Sequence, residues 1–404
     1  MNDQNLLLTN CSQVLTMVGE GLGVVENGAV RIRDGRILEV AEHPLLPEQG
    51  ETEIDCCGNV VMPGFIDPHT HLVFGGWRQN EFEMRLAGRT YKEIAQSGGG
   101  ILSTVIHTRL ASEDDLYNRA LERLHEMVNW GTTTVEVKSG YGLDTQAELR
   151  MLRVARRLGE LGLCRVVPTF LGAHSVPKGT PKSDYIKRLE TEMIPAVAEE
   201  GLARFCDVFC EDFVFNADES TRILETGKRH GLVPTIHADE VEASGGAEVA
   251  AKVGAASASH LLQPSEAGMA AMAHAGVAAV LLPGTSFFLR TAHRSPVAKM
   301  RDLGIVMALA SDFNPGSCPM LAQPLTAQFG SIYYGLTIIE ALRGITVNAA
   351  RALKLDSEVG TLEPGKVADV VVTDFPDYRH IIYRLGHNPA WMTIHGGRVV
   401  HRQY

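Results

Sequence analysis

Between Gly64 and Ser311 the chain alternates short apolar runs of strand length with longer stretches of helical periodicity, whereas both ends read as strands and turns. Eight runs stand out: Gly64–Asp67, Thr133–Lys138, Arg165–Leu171, Phe205–Phe209, Val233–His237, Ala256–His260, Ala278–Leu282 and Val306–Ser311. Near-continuous apolarity marks strands buried on both faces, as in a parallel sheet flanked by helices. Arg150–Leu161 and Ala247–Lys252 fit parts of the crossover helices. The pattern predicts an α/β fold, a TIM-like (β/α)8 barrel over residues 64–356, with its chemistry at the C-terminal strand ends.

Residues 1–63 carry Leu6–Asn10 and Ala29–Val40, the second broken by Asp34-Gly35, a hairpin signal. Residues 357–404 repeat that texture in Ala368–Asp374 and Trp391–Val400. The two ends are expected to pair into one small composite β-sandwich domain. Within the barrel, Leu72–Trp130 forms a long insertion, placed to cover the site. Its Ser97-Gly98-Gly99-Gly100 reads as a hinge or turn, because neither a Walker pattern nor G-x-G-x-x-G follows a strand here.

Composition narrows the class. A chain of 404 residues with 45% hydrophobic and 21% charged residues can bury a large core, as a soluble enzyme does. Its net charge of -11 includes no basic block, so neither nucleic acid nor an anionic membrane is expected as partner. No apolar stretch reaches the roughly 18 residues of a membrane span, and Met1–Asn5 lacks signal-peptide features, so a cytoplasmic protein is expected. Seven cysteines without a C-x-x-C pair indicate neither a disulfide framework nor a cysteine zinc site.

The candidate chemistry starts at His69 and His71, which close the first run. Residues two apart on an extended segment point the same way, about 7 Å between Cα atoms, so both reach one metal ion. His174, His237, His260 and Asp312 follow the third, fifth, sixth and eighth runs. Any one of these histidines alone reads more readily as a satisfied core residue. Together they gather on the face where a barrel assembles its site.

At this point the sequence resembles the amidohydrolase superfamily, in which an H-x-H after strand one, a histidine after strand five and an aspartate after strand eight hold the metal. The resemblance rests on Phe65-Ile66-Asp67-Pro68-His69-Thr70-His71 followed by Arg78, on Lys138–Leu143 (K-S-G-Y-G-L), Gly172-Ala173-His174, His237-Ala238-Asp239-Glu240 and Asp312–Ser317 (D-F-N-P-G-S). The K-S-G-Y-G-L and D-F-N-P-G-S runs are specific to a branch that opens a cyclic amide in histidine degradation. The likeness implies metal ligands His69, His71, His237 and Asp312, the last also counted with Glu240 and His260 among the catalytic groups. It implies substrate contacts at Arg78, Tyr91, Tyr141, His174, Glu240, Asn314, Gly316 and Ser317. One divalent or trivalent ion per subunit, zinc or iron, is expected. Two-metal members carry a modified lysine after strand four, where this chain reads Cys210-Glu211-Asp212, and Lys138 belongs to the second run. A homodimer is compatible with the resemblance.

The residue types suit that chemistry in their own right. A bound metal brings water's pKa from about 15.7 toward about 7 and polarises the carbonyl of an otherwise inert cyclic amide. His260 is expected to take a proton from water and Glu240 to deliver one to the ring nitrogen, with the reverse assignment left open. Arg78 offers a planar fork to a propionate, with Tyr141 as a further donor. Two other readings compete. A deaminase of a nucleobase-like heterocycle would need no carboxylate clamp, and a non-catalytic assembly protein is opposed by four retained ligands alongside Glu240 and His260.

Overall fold

Eight parallel strands follow one another round a barrel in chain order: β1 (Phe65–Asp67), β2 (Thr132–Lys138), β3 (Arg165–Ala173), β4 (Phe205–Cys210), β5 (Val233–Ala238), β6 (Ser257–His260), β7 (Ala278–Leu281) and β8 (Met307–Leu309). The coordinates are a computed structural model and describe residues 5–89, 93 and 99–403, so Tyr91 and the Ser97-Gly98 part of the glycine run lie outside the described residues. The strand positions follow the expected runs. Differences of up to two residues arise at the ends, where fraying backbone is least constrained by side-chain pattern. Every residue of β2 is buried, as its Thr-Thr-Thr-Val-Glu-Val-Lys run requires if one face meets helices and the other fills the barrel.

The barrel closes between its first and last strands just beyond their ends. Asp312 N donates to His69 O at 3.1 Å, and His71 N donates to Phe313 O at 2.8 Å. The buried Asp67 carboxylate reinforces this seam by accepting from Ser311 N at 3.1 Å and Ser311 Oγ at 2.5 Å. Closure therefore sets Asp312 directly against the H-x-H pair.

The two ends of the chain build one mixed eight-stranded sheet, in which Thr52–Pro63 runs parallel to Leu6–Leu15 and antiparallel to Val370–Thr373. The predicted hairpin forms with Arg33 paired to Arg36. Asp34 and Gly35 take φ of 50° and 74°, as a two-residue type I′ turn demands. Period-two alternation divides this sheet between two cores. Val61, Val370 and Val372 join Leu6, Leu8, Val30 and Ile32 in the small one, while Val60, Met62 and Val371 pack into the core that continues around the barrel.

The insertion after β1 contains helices at Gln79–Leu86, Ile101–Leu110 and Glu113–Asn129. Its last helix starts with a reciprocal Ser112–Asp115 capping box, and the helix after β4 with an Asn216–Glu219 one. Such caps satisfy orphan N–H groups and stabilise a helix by about 1 kcal/mol. No helix among the described residues is long and apolar enough to cross a membrane.

Candidate active site

His69, His71 and His237 each offer a ring nitrogen, and the three lie within 4.8 Å of one another in a buried cluster. The other nitrogen of two of them is occupied. His69 Nδ1 meets Ser259 Oγ at 2.9 Å, and His237 Nδ1 meets the Asp207 carboxylate at 3.2 Å. Both Nε2 atoms are left buried without a partner. Asp312 joins from the barrel seam, its Oδ1 3.5 Å from His69 Nε2 and 3.6 Å from His71 Nε2, while Oδ2 accepts from Thr285 Oγ1 at 2.6 Å. Donors bonded at about 2.1 Å in tetrahedral geometry stand roughly 3.4 Å apart, so these spacings fit a metal better than direct hydrogen bonds. Burial, with nearby cationic groups adding, holds His69 and His71 well below the usual histidine pKa, which keeps them neutral, the form able to bind a metal.

Beside the cluster opens a cavity of about 440 Å³ lined by His71, Arg78, Tyr141, His174, His237, Glu240, His260, Asp312, Asn314 and Ser317, with Ile101, Phe209 and Phe213 among its apolar walls. Ten of the expected residues thus meet in one place. His69 lies behind the wall, fully buried. Gly316 stands off the cavity against Arg78, where a Cβ would lie 1.6 Å from Arg78 Nη2, so only glycine leaves the guanidinium its position. Arg78 Nε is buried and unpaired. The Asn314 side chain is committed within its own loop, its oxygen accepting from Gly316 N and Ser317 N at 2.9 and 2.7 Å.

Glu240 and His260 face each other with Oε1 and Nδ1 3.5 Å apart. Burial, then the charges of Asp312 and Glu211, push the Glu240 carboxyl up to about 8. Burial and neighbouring His237 hold His260 well below its ordinary pKa. At neutral pH the pair is therefore a carboxylic acid beside a neutral imidazole. His260 and Asp312 both sit in left-handed backbone, φ 71° and 52°, a strain that persists only where the surroundings fix it.

Several supporting residues escaped the sequence reading. Asp207, Ser259 and Thr285 hold the side chains of His237, His69 and Asp312, while Glu211 accepts from the backbone of Glu240, Val241 and Glu242 at 2.7, 2.9 and 3.3 Å. Glu148 similarly accepts from Gly140, Gly142 and Leu143, fixing the loop that carries Tyr141. A lone Asp207 inside Phe-Cys-Asp-Val-Phe was a usable signal, since an acid in a fully buried run needs a cationic or N–H partner.

A family model described as "Amidohydrolase family" matches residues 60–402, and the chain belongs to that family. Among solved structures the chain is similar to a 5-methylcytosine deaminase from Klebsiella pneumoniae, with TM-score 0.76, 18% identity and 98% of each chain covered, a likeness of fold. At higher identity the chain is similar to imidazolonepropionases. That of Geobacillus sp. (strain WCH70) is 46% identical, with 98% of this chain and 97% of the relative covered. That of Methylobacterium sp. (strain 4-46) is 48% identical, with 94% and 95% covered.

Proposed function

We infer that the chain hydrolyses 4-imidazolone-5-propanoate to N-formimidoyl-L-glutamate, a ring opening in histidine degradation. The carrying observation is Arg78, the one arginine or lysine among the described residues lining the histidine cavity. A propionate calls for such a partner and a nucleobase does not. His69, His71, His237 and Asp312 are the proposed ligands of one divalent or trivalent ion per subunit, zinc or iron, both of which accept imidazole and carboxylate donors. When bound, the ion supplies Lewis acidity and a lowered pKa for water.

The chain's own residues account for the rest. Arg78 holds the propionate by its planar fork, and burial keeps the Tyr141 phenol protonated as a second donor. His174, held by a contact of its Nδ1 with Gly140 O at 3.1 Å, walls the ring side of the cavity. As water oxygen bonds to the ring carbonyl carbon, neutral His260 takes its proton. The carbon–nitrogen bond then breaks, and Glu240 gives its proton to the departing nitrogen. Transfer from His260 Nδ1 back to Glu240 Oε1, across 3.5 Å, restores the starting pair. Purified protein assayed on imidazolonepropionate beside cytosine and guanine tests the assignment: turnover of the imidazolone alone is expected, and turnover of a base without it would overturn the reading.

A further inference from the structure

Beneath the histidine cluster the ammonium of Lys138, at the end of β2, sits between two carboxylates, 2.9 Å from Glu136 Oε1 and 2.7 Å from Asp207 Oδ2. None of the three side chains is more than 3% exposed. Each carboxylate turns its second oxygen toward an element that bears metal ligands. Asp207 Oδ1 meets His237 Nδ1 at 3.2 Å, and Glu136 Oε2 accepts at 3.1 Å from the backbone N of Thr70, the residue between His69 and His71. The segment after β1 is tied to β2 again where Thr70 Oγ1 donates to Glu136 O at 2.6 Å and Lys138 N donates to Thr70 O at 2.9 Å.

We propose that Lys138 is a positioning residue of the metal centre: one ammonium clamped by two carboxylates fixes both the H-x-H segment after β1 and the His237 imidazole of β5, so that their nitrogens meet at one point. A purely stabilising ion pair explains the arrangement less well. Buried ion pairs are often no better for stability than apolar packing of the same volume, because desolvation offsets the attraction. The geometry also speaks to the number of ions. With both carboxylates engaged by the ammonium, neither Glu136 nor Asp207 is free to hold a second cation. A protonated lysine, with three donors and no lone pair, is itself no ligand.

The ligand set is the reading proposed above, so the test must separate the two. The full-length chain, stripped with chelator and reloaded with cobalt(II), is compared with Lys138→Gln and Asp207→Asn by chelator competition and by the visible cobalt(II) spectrum. Asn at 207 still offers His237 a carbonyl oxygen but removes the charge facing Lys138. Both variants are expected to bind cobalt(II) roughly 10-fold to 100-fold more weakly, the scale of lost outer-shell partners, with shifted absorption bands. The double variant should lose less than the sum of the singles, as linked residues do. A merely structural role would lower the melting temperature of the metal-free protein and leave the cobalt(II) bands of the bound form unchanged. Parent-like affinity and bands in both variants would overturn the role of Lys138 alone, and a parent chain that takes up no cobalt(II) would overturn the ligand set with it. Should Lys138→Gln not fold, Asp207→Asn carries the comparison, together with the ¹⁵N signal of His237 in the parent, which must show a proton on Nδ1.

Discussion

Glu240 holds its proton to about 8 because burial penalises its charge before Asp312 and Glu211 add repulsion. The folded chain then keeps a proton that the unfolded chain sheds near the ordinary glutamate value of about 4.3. By linkage, this group's contribution to stability falls as pH rises through that window and is lowest above about 8. Metal-free Glu240→Gln should therefore melt above the parent at pH 9, with the gap closing toward pH 5, and a gap independent of pH in calorimetry would contradict the assignment. In the metal-loaded enzyme the same variant should lose roughly 10²-fold to 10⁴-fold in kcat and its alkaline limb, whereas His260→Asn should lose the acidic limb. His237→Ala should stay folded yet retain no metal and show no turnover, as elemental analysis and assay would reveal. Arg78→Lys should lower kcat/KM at least about tenfold, near 1.4 kcal/mol, since an ammonium cannot reproduce the fork. Parent-like kinetics on imidazolonepropionate would remove Arg78 from the clamp.

The strands supply positions, and the loops beyond them supply the chemistry. Two buried carboxylates do for those loops what capping residues do for helices, Glu148 gathering the amides of 140–143 and Glu211 those of 240–242. Glu211→Ala leaves buried donors without an acceptor, a loss of about 2 kcal/mol. Its amides at 240–242 should exchange faster with solvent, and kcat should fall while metal content stays at parent level. A variant with unchanged exchange and kcat would show that the loop holds its shape without Glu211. Much at this scale was legible beforehand. The eight apolar runs located β1 to β8, because burial on both faces leaves a continuous signature, and the period of two brought His69 and His71 to one side. Asp207 and Glu211 were not singled out, since each acts on a different strand or loop and sequence spacing carries no record of that contact.

Across the whole molecule, the proposed ligands come from the residues after β1, from β5 and from the residues after β8, so a bound ion would link distant parts of one barrel. An ion held at a hundred times its dissociation constant stabilises the folded state by about 2.7 kcal/mol. Chelation should lower the melting temperature by a few degrees, with re-addition restoring it, and an unchanged melting curve would mean that the ion does not couple to folding. The sequence by itself determined the succession of buried strands, the pairing of the two chain ends and the types of donor at each strand end. Those follow from local periodicity, turn chemistry and side-chain identity. Only the tertiary structure decided which donors converge. Closure of the barrel carries Asp312 to His69 and His71, and the β2–β4–β5 neighbourhood sets Lys138 between Glu136 and Asp207. Packing against the Glu240 loop makes that carboxyl an acid at neutral pH. Such features depend on distances between residues far apart in the chain and on the burial that folding creates, which no stretch of sequence contains alone.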